Sequence, residues 1–428
     1  MSEAYSAHVL DNGLTVLLQE NHSAPIVSHQ VWYRVGSRNE VPGKTGISHF
    51  VEHMQFRGTK RFPGQEAACG ILRNGVDLNA LTGLDCTAFY ETMPADRIDI
   101  AIKMEADRMM NSVFDPDDVE TERTVILSEQ ERDESYPNFS LITSMKKTVF
   151  SHHPYGRETI GETSDLLALT RSDIYDHYRT WYVPANSVVT AAGDFDTERM
   201  LRRIEAAYGS IPARSVPKAD ILPETPIQAP QQLEVRGNYD FTDLRIFWHV
   251  PAAKDPDIPA LILLNIILAG PDFLEMTEKI KISGRTSRLY RKLISGGMSS
   301  GIGMEYMPAI DPYYLGLSAL AAPGVDVDEI RDVIFEELEN IAHHGVSPDE
   351  VNKARKQAKA IYAYSTEDAF GLAFWLGYSS MFADPSWYMD FLPRLENVRP
   401  EDISRAAGTY FRRDNCVIGV YKPKEEQA

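Results

Sequence analysis

The sequence predicts an α+β chain made of two related domains, and three observations carry that expectation. Short apolar runs bounded by Gly, Asn and Pro read as strands, and longer segments of helical period lie between them, the pattern of sheets covered by helices. Residues 216–232 are rich in proline (Pro217, Pro223, Pro226, Pro230) and have little periodicity, which marks a linker near mid-chain. Beyond it the pattern starts again. Asp115-Pro-Asp-Asp-Val-Glu-Thr-Glu-Arg123 has a counterpart in Ser347-Pro-Asp-Glu-Val-Asn-Lys-Ala-Arg355 at an offset of 232 (347 − 115). The expected division is a first domain at 1–215, a linker at 216–232 and a homologous second domain at 233–428.

Length and charge agree with this. A chain of 428 residues exceeds one ordinary core, given roughly 100 to 200 residues per domain. The formal charge of −19, from 43 basic and 62 acidic residues, argues against nucleic acid or an anionic membrane as partner, since both demand clustered Lys and Arg. The most apolar helical run, 258–269, is too short for a membrane span, which takes about 18 or more apolar residues. The first residues show neither a signal peptide nor an Arg-rich presequence, so the expected setting is the cytoplasm. Cys69, Cys86 and Cys416 are an odd, scattered set that reads as reduced thiols.

Taken in order, residues 8–18 break at Asn12-Gly13 between two apolar stretches, a hairpin signal. Residues 26–35 read as a strand, and Thr45 or Ser48 is the expected cap of a helix ending near Gly58. A second helix at 65–72 follows, then a turn at Asn74-Gly75. Strands at 76–82 and 84–91 make a hairpin about Gly83. Ile98, Ile102, Ala106 and Met109 form one apolar stripe of a helix at 94–110. Asp115-Pro116 opens a long polar helix in which Glu122 and Glu129, seven apart, point the same way. His152 and His153, beside Pro154, read as loop residues. Helices at 172–182 and 197–208 flank a strand at 187–193, and a strand at 244–250 precedes the helix at 258–269.

The chemistry concentrates in Thr45-Gly-Ile-Ser-His49-Phe-Val-Glu52-His53-Met54. On a helix His49 and His53, four apart, stack on one face, so two imidazoles can share one ion, with Glu52 bordering that face. The order His-x-x-Glu-His reverses that of many zinc peptidases and is itself a metallopeptidase signature. A catalytic zinc takes three protein ligands and leaves a position open, so a further carboxylate or histidine is needed. The corresponding helix of the second half, 258–269, holds no His, Asp or Glu, so one copy of the duplication lacks the metal site.

At this point the sequence resembles the M16 family of metallopeptidases (pitrilysin, insulin-degrading enzyme, mitochondrial processing peptidase), in its short M16B-type bacterial form. The resemblance covers nearly the whole chain: the inverted motif, Leu78-Asn-Ala-Leu-Thr82, His153-Pro-Tyr-Gly156, Tyr182-Val-Pro-Ala-Asn186 and Gly193-Asp-Phe-Asp196. It implies two homologous domains of the LuxS/MPP-like type forming half of a clamshell, and one zinc per chain. The third ligand it implies is Glu129, 76 residues beyond His53 (129 − 53) in a Glu-Arg-x-Val-x-x-x-Glu context whose first glutamate, Glu122, would orient a ligand histidine. Glu52 is the implied general base, and Asn79, Ala80 and Leu81 an edge strand that pairs with peptide substrates. One departure stands out. Family members that cleave peptides usually carry an Arg, and a Tyr seven residues later, after a Ser-Arg-Leu stretch. Here Ser287-Arg-Leu289 is present, but Ile294 occupies the arginine position and Ser300 or Gly301 the tyrosine position. The expectation is therefore a heterodimer whose homologous partner supplies that pair. The rival is a non-hydrolytic binding or assembly subunit, like the core proteins of respiratory complexes.

Overall fold

Alternating apolar residues build the first sheet. In the computed structural model, which describes residues 5–64, 75–271 and 284–424, β1 (Ser6–Val9) and β2 (Thr15–Glu20) form the expected hairpin, with Gly13 at φ 88° in its turn. β3 (Ile26–Tyr33), β4 (Asp77–Thr82), β5 (Thr87–Pro94) and β6 (Ser187–Gly193) complete a six-stranded sheet of order β1-β2-β6-β3-β5-β4. β3 is central and buried on both faces after Ile26. The β4–β5 hairpin closes through the hydrogen bond from Gly83 N–H to the Cys86 carbonyl, so β5 starts at Thr87, later than the apolar pattern suggests. The helix expected at 65–72, Asn74 and Cys69 lie outside the described residues.

The longer helices of the first half are α1 (Ile47–Phe56), α2 (Ile98–Asn111), α3 (Pro116–Glu134), α4 (Phe139–Val149), α5 (Arg171–Trp181) and α6 (Thr197–Tyr208). α1, α2 and α6 cover one face of the sheet, where Phe50, Val51 and Met54 join Val27, Val31 and Phe89 in a continuous core.

The second half repeats this plan. β7 (Gln231–Gly237) and β8 (Asp243–Val250) are followed by α7 (Ile258–Leu268), β9 (Ser299–Tyr306), β10 (Tyr313–Ala321), α8 (Val327–His344), α9 (Pro348–Ser365), α10 (Ala369–Phe382), α11 (Pro400–Tyr410) and β11 (Cys416–Pro423). The sheet order β7-β11-β8-β10-β9 reproduces β2-β6-β3-β5-β4, including the one parallel pairing, β7 with β11 matching β2 with β6. The offset of 232 carries Pro116 to Pro348, the first residues of α3 and α9, and carries α4 to 371–381, inside α10.

The compact units are not the two continuous segments that the linker suggests. One unit takes residues up to 132, 157–221 and 366–389; the other takes 133–156, 222–365 and 390 onward. Each sheet thus has its second face covered by a helix from the opposite half of the sequence, α10 on β2, β3 and β6, and α4 on β7, β8 and β11. Composition explains the need: Phe374–Phe382 of α10 is buried at every position, and a helix apolar on all sides must be covered on all sides. Gln30 Nε2 donates to the Phe370 carbonyl at 3.2 Å and Thr190 Oγ1 to the Ala373 carbonyl at 3.0 Å, while Trp32 packs edge-on against Phe374. At Gly377 the helix touches the Trp32 indole so closely that a Cβ would lie 2.0 Å from Nε1.

That contact makes the seating of α10 testable. Gly377→Ala forces the indole or the helix to move and is expected to destabilise the protein by about 1–3 kcal/mol, read as a lowered thermal unfolding temperature. An unchanged unfolding temperature would contradict this packing.

Candidate metal centre

α1 begins where local capping rules do not place it. Its N-cap is Gly46, at φ 80°, and neither Thr45 nor Ser48 caps it with a side chain. The caps come from elsewhere. The Glu40 carboxylate accepts the N–H groups of Gly46 at 2.8 Å and Ser48 at 2.9 Å, and Asp165 Oδ2 accepts both the N–H and the hydroxyl of Thr45, at 3.0 and 2.7 Å. Glu40 thus takes up donors at the cap and in the first turn, Asp165 anchors the residue just before it, and both carboxylates sit at the positive end of the helix dipole. A Cβ at Gly46 would lie 2.4 Å from the Ile160 carbonyl, so that position accepts only glycine.

From this fixed start the helical period aims His49 and His53 at α3. Their rings stand 4.7 Å apart at 74°. Glu129 Oε2 lies 3.9 Å from His49 Nε2 and 3.4 Å from His53 Nε2, and the three ligand atoms all fall within 4.8 Å of one another. It is the one such His, Cys, Asp or Glu group among the described residues. Tetrahedral zinc with bonds of about 2.0–2.2 Å separates its ligands by roughly 3.4 Å. Two imidazoles and a carboxylate, all partly open to solvent, fit that ion in spacing and donor type.

Glu122 sits two turns before Glu129 on α3 and takes the other nitrogen of His53. Its Oε2 is 2.8 Å from His53 Nδ1, while its Oε1 accepts Arg57 Nε at 2.6 Å. With Nδ1–H donating to Glu122, His53 directs its Nε2 lone pair toward Glu129. Burial alone would raise the Glu122 pKa, but the hydrogen bonds from His53 and Arg57 outweigh it and the carboxyl is held below its ordinary value. Burial alone would lower His53, but its bond to Glu122 and the Glu129 charge turn the balance upward. His49 is pulled down to about 3, mostly by burial and further by His53, so it stays neutral with a free lone pair. Its Nδ1 is buried without a hydrogen-bond partner.

Glu52 is on the same helix but does not join the ligand group. Its carboxylate is buried, and Oε2 accepts a short hydrogen bond from the Thr82 hydroxyl. Burial raises its pKa, with Thr82 and His53 pulling down and Glu129 pushing up. Thr82 closes β4, which also carries Asn79, Ala80 and Leu81 and which, among the described residues, pairs with β5 alone. Asn79 is exposed, and its Oδ1 accepts the Ala80 N–H at 2.9 Å. The sequence-level candidates therefore fall into one neighbourhood of α1, α3 and β4 within one unit. His152 and His153 do not: His153 Nε2 pairs instead with Asp311 at 3.0 Å in the other unit.

Comparison with known proteins points the same way. Residues 15–163 match the family model described as insulinase (peptidase family M16), and residues 168–358 match the one described as peptidase M16 inactive domain. The chain is 26% identical over 426 residues to a zinc protease of Streptomyces coelicolor, described as uncharacterized, with 97% of this chain and 90% of that one covered. It is 24% identical over 436 residues to a probable beta subunit of the mitochondrial processing peptidase of Arabidopsis thaliana, covering 97% and 78%. The crystal structure of a protease from Helicobacter pylori shares the fold with a TM-score of 0.91 at 23% identity, over 98% of this chain and 100% of that one. His49, His53, Glu122 and Glu129 all lie in the first matched segment, and α7, in the segment matched as inactive, offers no His, Asp or Glu.

A second titratable group, missed in the sequence because its members sit on four separate elements, lies under α1. His29 Nδ1 is 3.2 Å from Glu91 Oε2, its Nε2 is 3.4 Å from the Tyr208 hydroxyl, and Arg108 pairs with Glu105 at 2.7 Å. The Arg108 guanidinium covers the ring of Phe56, the last residue of α1, at 5.2 Å, and that of Phe89 at 4.8 Å. Burial pulls His29 down to about 4. Burial also pushes Glu91 up to about 7, against the hydrogen bond to Glu105 and the charge of Arg108. A carboxyl whose folded-state pKa exceeds its unfolded one binds its proton more tightly when folded. Its stabilising contribution is complete below about 4.5 and is lost as pH rises through about 7. Glu91→Gln should therefore remove part of the fall in thermal unfolding temperature between about pH 5 and 8; an identical slope in variant and parent would contradict a protonated Glu91.

Proposed function

The chain belongs to the M16 peptidase family, and from that premise we propose that it is a zinc-dependent endo- or oligopeptidase acting on unfolded peptides. The observation that carries the reading is the meeting of His49, His53 and Glu129 around one point, with Glu52 beside them and not among the ligands. A zinc ion held by those three residues, one per chain, supplies Lewis acidity, bringing the pKa of water toward about 7 and polarising the scissile carbonyl.

The protein's own groups do the rest. The hydrogen bond from Thr82 to Oε2 fixes the Glu52 carboxylate, and Oε1 accepts no side-chain hydrogen bond among the described residues, which favours it for the proton. It takes a proton from the attacking water and returns it to the departing amine nitrogen as the peptide C–N bond breaks. Burial suits it to that exchange by raising its proton affinity. Glu122, fixed by Arg57, holds the His53 ring in the orientation a ligand needs. Along the side of β4 that no other described strand pairs with, Asn79, Ala80 and Leu81 offer backbone groups to an extended peptide, which adds as a further strand.

The positions where the resemblance places a substrate-binding Arg and Tyr hold Ile294 and Ser300 or Gly301 instead. Ile294 ends a π-helical turn at Tyr290–Ile294, and Ser300 and Gly301 lie on β9. A homologous M16 subunit carrying that pair is therefore the proposed partner, in a heterodimer where this chain contributes the zinc. A non-hydrolytic assembly role is the competing reading, and the same missing pair favours it. Among the described residues no helix is long and apolar enough to cross a membrane. Among the described residues Cys86 and Cys416 are buried and form no disulfide, which suits a reducing compartment such as the cytoplasm.

Zinc content and cleavage of a fluorogenic peptide, measured with and without a homologous partner, test the proposal together. Glu52→Gln should keep stoichiometric zinc and lower cleavage by about 100-fold or more. Full activity of the isolated chain would remove the heterodimer, and survival of activity in the Gln variant would remove Glu52 as the base.

A further inference from the structure

Resting on that peptidase reading, we propose that Thr82 is the positioning residue of the base, holding the Glu52 carboxylate by a hydrogen bond from the last residue of the strand that receives substrate. Among the described residues, the Thr82 hydroxyl makes the one side-chain hydrogen bond that Glu52 accepts. Without it, a buried carboxylate on a flexible stem has several orientations open to it; with it, Oε2 is engaged, the carboxylate is held in one orientation, and Oε1, which accepts no other described side chain, is favoured for the proton.

The backbone fixes the distance between the two residues. Thr82 pairs with Thr87 at the closed end of the hairpin, where the Gly83 N–H donates to the Cys86 carbonyl at 2.8 Å. The Gly83 and Leu84 carbonyls in turn accept the N–H groups of Ser37 at 3.1 Å and Arg38 at 2.9 Å. Gly36 approaches so closely that a Cβ there would lie 2.4 Å from the Gly83 carbonyl oxygen. Two residues beyond Arg38, Glu40 caps α1 through Gly46 and Ser48. The short segment 36–40 thus holds the end of β4 at one side and the start of α1 at the other, so Thr82 and Glu52 meet by construction rather than by side-chain reach. A peptide that pairs with the side of β4 facing no other described strand lies alongside the strand that ends in this hydroxyl, which ties alignment of the base to the element that binds substrate.

Thr82→Val keeps the shape and removes the donor, and Thr82→Ser keeps the donor. In the zinc-loaded protein, assayed with whatever partner activity requires, Thr82→Val should lower kcat about 10-fold with KM and zinc stoichiometry unchanged, and Thr82→Ser should restore it to within about threefold. Crystal structures of the same proteins should show Glu52 in one orientation with Thr or Ser and displaced or divided with Val. The proposal is overturned if the Val variant keeps both the parental kcat and the Glu52 orientation. It is also overturned if the variant loses activity only together with zinc or through a raised KM, which marks a merely structural role. An inactive parent protein would instead remove the peptidase reading, and the Glu52 orientations would still decide the claim about Thr82.

Discussion

Two helix faces meeting one another govern the candidate metal centre. α1 carries His49 and His53 one turn apart, and α3 carries Glu122 and Glu129 two turns apart, so each imidazole row faces a carboxylate row. The pairing divides labour on a single ring. Glu122 takes Nδ1 of His53 and Glu129 faces Nε2, which leaves one nitrogen oriented and the other available. Like charge is kept tolerable because Arg57 binds the Glu122 carboxylate, and because burial keeps His49 neutral. Glu52 borders the same face, yet Thr82 draws its carboxylate to β4 instead of leaving it to compete as a ligand.

That meeting depends on where α1 starts. A helix of ten residues has little stability of its own, and here its first turn is held by Glu40 and Asp165, its last turn by Arg57 bound to Glu122, and its underside by Arg108 stacked on Phe56. The duplicated half shows what happens when the chemical demand is absent. α7 occupies the corresponding place after β8, but it is buried throughout, with apolar residues and a single Asn265 where α1 presents histidines. The same frame thus carries a helix with His49, Glu52 and His53 in one unit and an apolar packing helix in the other.

Much of this is legible in the sequence because it is encoded locally. The His-x-x-Glu-His spacing implies a shared helix face, the offset between Asp115 and Ser347 announces the duplication, and Asn12-Gly13 fixes the first hairpin. What escapes is encoded at long range. Nothing near Thr45 or Ser48 signals that Glu40 would cap α1, since the carboxylate reaches back from outside every local capping pattern. The sequence assigns no element to the run that becomes α10, and no local periodicity tells that it would cover a sheet built from residues more than 150 positions earlier in the chain, as Thr190 and Ala373 show at a separation of 183. The cluster of His29, Glu91, Glu105 and Arg108 is dispersed over β3, β5 and α2, so each member alone looks like an ordinary polar residue of a strand or helix.

Anomalous diffraction at the zinc edge, recorded on crystals of the metal-loaded protein, tests the central claim most directly. The account predicts one peak per chain, within about 2.0–2.2 Å of His49 Nε2, His53 Nε2 and a Glu129 carboxylate oxygen, with Glu52 outside the coordination sphere. A peak liganded by Glu52 in place of Glu129, or no peak between α1 and α3, would contradict it.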